Sequence, residues 1–495
     1  MEIPITGSML YSYALCPHRV TLDLFGDPAK RDPVSPFVEL LWERGNLYER
    51  EVVEGFKVPF LNLRGVEPAE ERERRTRAAL DSGEGLIYGG RLSAGDLLGE
   101  PDLLRRRGDR YLPGDIKSGS GLEGAGEESG GKPKKHYAYQ LGLYLDILKA
   151  LGRASGSETF IIDIHGEEVP YDLALSRGPK SPPMWSEYRD VLDEVRAISR
   201  KEKSTRPGLC AACKLCHWRS YCFARIKAAD DLTLIPELGR SRRDNLARRL
   251  PTVRSLAETA PEKLVSGKKS LVSGVGAGMI LKFRERARLL KTPGAGPYFT
   301  EEVFFPPPGR ELFYDVETDP MRDVCYLHGF VVRENGREEF RGFFADRPTE
   351  EDERRAFARA WELIASGFTA LYVYSSYERT TLKKLAGRYP GVAAVEEVGE
   401  LFSRDGVIDL YGDLVKPKME WPTNDYSIKT LAKFLGFQWR DPDPSGASSI
   451  QWYHQWTETG DEALKKRILE YNEDDCVAMR VLLDGIRDLA VRGGD

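Results

Sequence analysis

Twice in this chain an apolar, strand-like run ends on two charged residues separated by one: YLPGDIK at residues 111–117 and ELFYDVET at residues 311–318. Strand side chains alternate between faces, so Asp115 and Lys117 share one face and Asp315 and Glu317 share another. Around both runs strand-like and helix-like patterns alternate, which predicts an α/β multidomain chain with helices on the faces of mixed sheets. At about 150 residues per domain, 495 residues suggest roughly three domains. The patterning divides the chain into residues 1–229, 230–295 and 296–495. The first is an α/β domain ending in a cysteine cluster. The second is a small all-α segment closed by the linker TPGAGP, and the third is a mixed-sheet α/β domain.

In the first part, Pro101-Asp102 ends a strand-like run shortly before Asp115-Ile116-Lys117. A paired strand can set Asp102 beside Asp115, and two carboxylates hold a hard divalent cation such as Mg²⁺ or Mn²⁺ through oxygen. The Lys117 ammonium can lower the pKa of a metal-bound water or stabilise charge in a phosphoryl transition state. Glu49, on a preceding helix, can complete the metal shell. Gln140 and Tyr144, i and i+4 on one helix face, can orient the lysine and the scissile phosphate. In their order Glu49, Asp102, Asp115, Lys117, Gln140 and Tyr144 give the segment a form that resembles the RecB-like branch of the PD-(D/E)XK nucleases. The resemblance implies a restriction-endonuclease-like core and metal-dependent cleavage of DNA phosphodiester bonds.

Seven cysteines, an odd number without a secretory leader, make a poor disulfide framework, and the expected setting is a reducing cytoplasm. Cys210, Cys213, Cys216 and Cys222 form C-x-x-C-x-x-C-x5-C. That spacing suffices for tetrahedral zinc and equally suits an iron–sulfur cluster. The chain is also similar to the iron–sulfur subset of RecB-like nucleases, of AddB and CRISPR-associated type. In that subset one cysteine precedes the nuclease motifs and three follow. The similarity implies a [4Fe–4S] cluster on Cys16, Cys213, Cys216 and Cys222, with Zn²⁺ on a set that uses the extra thiol Cys210 as the alternative. Either group would clasp the two ends of the domain and close a long loop.

The middle part contains two glycine-bearing turns, IPELG at 235–239 and VSGVG at 272–276, each leading into a basic helix. Glycines let backbone N–H groups approach a phosphate at a helix N-terminus, a contact that positions without reading sequence. The turns resemble helix–hairpin–helix elements, although Glu237 stands where the first would carry a glycine. Gly239, Gly274 and Gly276, with Arg242, Arg243 and Lys282, are the residues expected at nucleic acid.

In the third part Asp315 and Glu317 are joined by Glu378, after the strand-like run LYVYSS, and by Asp475 in YNEDDC, one helical turn after Tyr471. Four carboxylates at strand ends and a helix can hold two metal ions that stabilise the attacking and leaving oxygens, while the tyrosine orients a water. D-x-E followed by Y-x-x-x-D resembles the DnaQ-like exonucleases of the RNase H fold. Glu378 stands where the family supplies an aspartate, and Asp409 is an alternative carboxylate. Lys429, in SIKTLAKFLGF, is expected to position substrate. The whole arrangement looks like the RecB-family nucleases that fuse these units.

Charge and composition bound this reading. With 41% hydrophobic and 31% charged residues the chain has no case for wholesale disorder. No run approaches the roughly 18 apolar residues of a membrane helix, so no membrane partner is expected. A net charge of −5 argues against a protein coated in positive charge, but it is an average. Residues 231–295 hold 14 Lys and Arg against 6 Asp and Glu, or +8, which leaves −13 for the rest. There is no G-x-x-x-x-G-K-[ST] loop, so unwinding would need a separate helicase partner. The expected function is a metal-dependent DNA nuclease with two sites, in repair, recombination or processing. A binding scaffold with inactive sites and an RNA-processing exonuclease are the alternatives. The six histidines show no metal-ligand spacing. Trp421, Trp439, Trp452 and Trp456 are expected to pack, and Cys325 and Cys476 to be buried as small apolar side chains.

Overall fold

The computed structural model describes residues 3–126 and 129–492. It falls into two compact units: Met1–Pro207 with Ala211–Phe223, and Gly208–Cys210 with Ala224–Asp495.

Six strands of the first unit form a sheet in the order Glu168–Asp172, Glu158–Ile162, Arg110–Ile116, Leu103–Arg107, Leu86–Tyr88 and Leu61–Asn62. The central Arg110–Ile116 strand runs antiparallel to Leu103–Arg107 and parallel to Glu158–Ile162. After its first residue it is buried throughout. The Lys135–Ala150 helix buries ten residues spread around its circumference, the pattern of a helix inside a core rather than upon it. Two glycines set how closely these pieces approach. At Gly114, paired with Phe160, a Cβ would stand 2.3 Å from the Phe160 ring. At Gly7, which opens the Gly7–Leu15 helix, a Cβ would stand 3.0 Å from Gln140 Cγ and 3.2 Å from the Tyr144 hydroxyl.

The second unit carries a five-stranded sheet in the order Arg337–Phe344, Val324–Glu334, Glu311–Asp319, Ala370–Val373 and Val407–Asp409. The first three strands are antiparallel neighbours, and the last two join in parallel. The Glu462–Arg492 helix lies against it, where Cys476, Met479 and Leu483 pack with Phe313 and Tyr372. Cys325 and Cys476 are buried, as their small apolar character suggests. The expected mixed α/β multidomain architecture is the one observed.

Residues 230–291 lie in this second unit. Their turns take left-handed backbone at Gly239 (φ 69°) and Gly274 (φ 74°), and Gly276 caps the Ala277–Lys291 helix. Glu237 also adopts φ 62°, a conformation few side chains hold. Its carboxylate accepts from Arg286 Nη1 at 2.9 Å. Arg286 is fully buried and also donates to Glu420 Oε2 at 2.8 Å. Lys282 Nζ lies 3.5 Å from Glu420 Oε1, and Asn424 Nδ2 donates to the Leu234 carbonyl at 3.0 Å. The segment, expected to be all-α, also carries a short antiparallel hairpin of Val265–Ser266 with Lys269–Ser270, and it is bonded to the sheet domain through the buried Arg286–Glu420 pair.

Candidate active sites

In the first unit Asp115 ends the central strand and Asp102 precedes its neighbour. The two interlock through the backbone: Asp102 N donates to Asp115 Oδ1 at 3.2 Å, and Ile116 N to Asp102 Oδ2 at 2.9 Å. Lys117 Nζ stands 2.9 Å from Asp115 Oδ2. Glu49, from the Pro36–Glu54 helix, accepts from the Tyr88 hydroxyl at 2.9 Å and from Arg64 at 3.2 Å. The same guanidinium lies 3.7 Å from Asp102. Gln140 Nε2 donates to the Tyr144 hydroxyl at 2.8 Å. Tyr144 is held protonated by burial and by the nearby charges of Asp115 and Asp102. Glu49, Asp102, Asp115, Lys117, Gln140 and Tyr144 are thus brought to one place.

Burial pushes the Asp115 carboxyl up to about 7; Lys117 opposes the shift and Asp102 adds to it. Burial followed by Asp102 also raises Glu49, against Arg64. Desolvation works against the Lys117 ammonium, but Asp115 and Asp102 outweigh it and hold its pKa above the ordinary lysine value. The carboxylates offer oxygen ligands to a cation, with Lys117 beside them to meet developing negative charge.

The same unit brings Cys16 near Cys216, one of the trailing cysteines. Cys16 sits between the helices Gly7–Leu15 and Pro17–Phe25. The Cys216 thiol is raised by burial and further by the nearby Cys16 and Asp23. Around them the beginning and the end of this unit's sequence are stitched together. His217 Nε2 lies 2.7 Å from Asp23 Oδ1, Trp218 Nε1 donates to the same oxygen at 2.8 Å, and Ser220 N donates to Asp32 Oδ2 at 2.9 Å. Cys210 falls in the second unit.

In the second unit Asp315, Glu317 and Asp475 converge, with one ligand oxygen of each within 4.8 Å of the others. Asp315 and Glu317 come from the Glu311–Asp319 strand, and Asp475 from the long C-terminal helix. Each is held by a neighbour. Asn472 Nδ2 donates to Asp315 Oδ2 at 2.7 Å, Trp439 Nε1 to Asp475 Oδ1 at 2.7 Å, and the Tyr326 hydroxyl to Glu317 Oε2 at 3.3 Å. Gly329, paired with Asp315 across the sheet, leaves room for Asn472; a Cβ there would fall 1.5 Å from its Oδ1. Tyr471 accepts a hydrogen bond from Lys429 Nζ at 2.8 Å.

Glu378 opens the Tyr377–Arg388 helix and is buried, and its Oε2 has no hydrogen-bond partner. Its charge reaches Asp315. Asp409 is instead occupied: its Oδ1 accepts from the backbone N–H groups of Ser375 (2.8 Å), Tyr411 (3.0 Å) and Gly412 (2.9 Å). Burial and mutual repulsion raise the whole group. Glu317 rises to about 8 through burial and Asp475, and Glu378 to about 8 through burial and Asp409. Asp315 is raised by burial, then by Asp475, Glu317 and Glu378. Burial also raises Asp475, against Lys429 and its hydrogen bonds from Trp439 and Tyr471. Buried, mutually repelling carboxylates with an unpartnered oxygen are a donor set suited to divalent metal.

Two residues expected at nucleic acid have other employment. Arg243 is buried and pairs with Asp231 at 3.1 Å and Asp244 at 2.8 Å. Lys282 is half-buried beside Glu420. Their charges are internal counter-ions, because the segment packs its basic helices inward against acids. Arg242, Gly239, Gly274 and Gly276 are exposed. Sequence reasoning missed Arg64, Tyr88, Asn472 and the role of Trp439, which does more than pack. Gly329 opposite the D-x-E strand is the one signal that could have pointed to Asn472.

No curated protein matches the chain. Family models match at two places, that of the PD-(D/E)XK nuclease superfamily over residues 29–223 and that of the RNase H superfamily over residues 312–486. The chain therefore joins a PD-(D/E)XK nuclease-superfamily domain to an RNase H-superfamily domain.

Proposed function

We propose that the chain is a Mg²⁺- or Mn²⁺-dependent DNA nuclease with two hydrolytic sites, acting in DNA repair, recombination or processing. The observation that carries this reading is the convergence of Asp315, Glu317 and Asp475 beside the unpartnered Glu378. A divalent ion bound by these carboxylates supplies polarisation of the phosphate and activation of water. Tyr471, hydrogen-bonded to Lys429 beside Asp475, orients the attacking water. In the first unit Glu49, Asp102 and Asp115 are the metal donors, Lys117 stabilises the developing charge, and Gln140 with Tyr144 fixes the phosphate. The cysteines Cys16, Cys213, Cys216 and Cys222 hold a [4Fe–4S] cluster that clasps the ends of the first domain. The proximity of Cys16 to Cys216 supports it. The exposed turn at Gly274 and Gly276, with Arg242, grips backbone phosphate within a three-part chain divided near residues 229 and 296.

Wild type, Lys117→Ala and Asp315→Ala, assayed on end-labelled single- and double-stranded DNA and RNA with Mg²⁺ or Mn²⁺, test the proposal. Each variant is expected to lose one set of products and keep the other. Metal-dependent cleavage that neither variant alters would overturn the site assignments. A wild type without metal-dependent cleavage would make the chain a binding scaffold, and products from RNA alone would move the substrate from DNA to RNA.

A further inference from the structure

Two residues before Asp102, Glu100 holds two guanidinium groups on one oxygen. Its Oε1 accepts from Arg72 Nη2 at 2.5 Å and from Arg91 Nη1. Glu100 shares the electrostatic neighbourhood of Asp102 and Asp115, since all three carboxylates raise the Tyr144 hydroxyl. The two arginines are fixed by the scaffold. Arg72 sits on the Ala69–Ser82 helix, and Arg91 follows the Leu86–Tyr88 strand. The fully buried Thr76 ties them together: its hydroxyl donates to the Arg72 carbonyl at 2.8 Å and accepts from Arg91 N at 3.0 Å. The cations are less exposed than the anion that neutralises them. The side chains of Arg72 and Arg91 are 13% and 21% exposed, and that of Glu100 is 46% exposed. Arg72 Nε is buried and has no hydrogen-bond partner among the described residues. Two acids of the same helix are occupied elsewhere, Glu71 by Arg74 and Arg75 and Glu73 by Arg77 and Ser93.

Two largely buried guanidinium groups against one carboxylate leave a surplus positive charge and an unused donor. A guanidinium fork suits two parallel bonds, yet both forks meet Glu100 at a single oxygen. A phosphodiester carries the same negative charge on two oxygens, one for each fork. We propose that Arg72 and Arg91 clamp a phosphate of the substrate strand at the first site, and that Glu100 is a resident anion which this phosphate displaces. The proposal rests on the nuclease reading of Asp102 and Asp115 and deepens it. The scissile phosphate belongs with the metal donors Glu49, Asp102 and Asp115, so the clamped one is its neighbour along the strand. Glu49 and Asp102 are neutralised by Arg64 and, on that reading, by metal, which leaves Glu100 as the anion that competes with the phosphate. A phosphate contact fixes register without reading sequence.

The test uses full-length Asp315→Ala protein, so that the cleavage that remains is that of the first site. Loss of a resident competitor helps the substrate: Glu100→Gln is expected to lower KM for Lys117-dependent cleavage about 1.5- to 5-fold, the worth of a partly exposed ion pair. Loss of a clamp hurts it: Arg72→Ala or Arg91→Ala should raise KM about ten-fold with kcat nearly unchanged. One uncharged methylphosphonate linkage, walked along the strand, should raise KM at a position beside the cut and add little in Arg91→Ala. An equal or higher KM in Glu100→Gln, or a lower kcat, would make Glu100 a brace for the Asp102 loop and overturn the clamp. So would a methylphosphonate penalty at no position, or one that Arg91→Ala leaves undiminished. Failure of the nuclease reading shows separately, as Asp315→Ala protein with no Lys117-dependent cleavage. Fluorescence anisotropy of the same strands with full-length Lys117→Ala/Asp315→Ala protein then decides: tighter binding on adding Glu100→Gln keeps the clamp, and equal affinity overturns it.

Discussion

In the first unit the acids stand beside cations that the chain supplies, and in the second they stand mostly beside one another. Asp115 has Lys117 at 2.9 Å, and Glu49 and Asp102 share Arg64. Around Asp315, Glu317, Glu378 and Asp475 the described cation is Lys429, and its bonds go to Tyr471 and Pro444 rather than to a carboxylate. Both sites bury charge, which costs heavily unless it is compensated. The first has part of its compensation covalently attached. On the function proposed above the second leaves it to divalent ions, so it should answer more strongly to metal, to pH and to loss of a single acid.

The largest effect is expected from Asp315→Asn. It removes a carboxylate shared by the whole cluster and should lower Asp315-dependent cleavage by about 10³-fold or more. Products that require Lys117 should be unchanged. End-labelled product mapping checks both, and a parallel loss of both product sets would mean that the two sites do not act independently. Next comes the choice of the fourth acid. Glu378→Gln should reduce the same products by about 10²-fold, the scale of losing one electrostatic stabiliser. Asp409→Ala should leave cleavage nearly intact and instead lower stability by about 1–2 kcal/mol, because its carboxylate caps backbone N–H groups. Denaturant midpoints with rate measurements on both variants decide between them, and the reverse pattern would assign Asp409 to the metal.

Removal of metal gives the third effect. Glu317 and Glu378 titrate near 8 in the folded chain, against about 4.5 for an ordinary glutamate. Between those values the folded form holds protons that the unfolded form has released. Stability of the metal-free protein therefore falls as pH rises from about 4.5 to about 8. In the first unit the corresponding fall, set by Asp115, ends near pH 7. Metal at about 100 times its Kd adds about 2.7 kcal/mol, or roughly 5–10 °C in the melting temperature. Calorimetry with EDTA or Mg²⁺ at pH 6 and pH 8 should show the larger rise at pH 8, where the acids are already ionised. An equal rise at both, or none, would mean that these carboxylates hold no ion.

The contrast was only half legible in the sequence. Strand alternation put Asp315 with Glu317 and Asp115 with Lys117, and helical spacing put Tyr471 with Asp475, because those relations depend on local geometry alone. Which of Glu378 and Asp409 faces the cluster depends on where two loops leave parallel strands, and no local period records that. Arg64 and Trp439 reach their sites from loops for the same reason. The +8 of residues 231–295 was counted correctly, but a count does not show pairing. Lys282 and Arg286 meet Glu420, which the linear chain places outside the segment, while Arg243 is buried against Asp231 within it. Glu237 looked like a departure from a glycine pattern, yet the backbone keeps the glycine conformation and uses the side chain to hold Arg286.

Arg64 offers the finest test of the comparison. Its guanidinium is 3.2 Å from Glu49 and 3.7 Å from Asp102, so it holds positive charge between two of the acids that would ligate metal. It is also half exposed, and an exposed pair of this kind is worth about 0.2–1 kcal/mol. If it is a resident counter-ion, divalent metal must displace it. Arg64→Ala should then lower the Mg²⁺ concentration for half-maximal Lys117-dependent cleavage by about 1.5- to 5-fold, the same energy read as an equilibrium. The half-maximal concentration for Asp315-dependent cleavage should not move, since that cluster has no such arginine among its described partners. A rise at the first site would show that Arg64 holds substrate phosphate rather than the place of an ion. The two sites would then differ in how they grip the strand, and not in how they neutralise their acids.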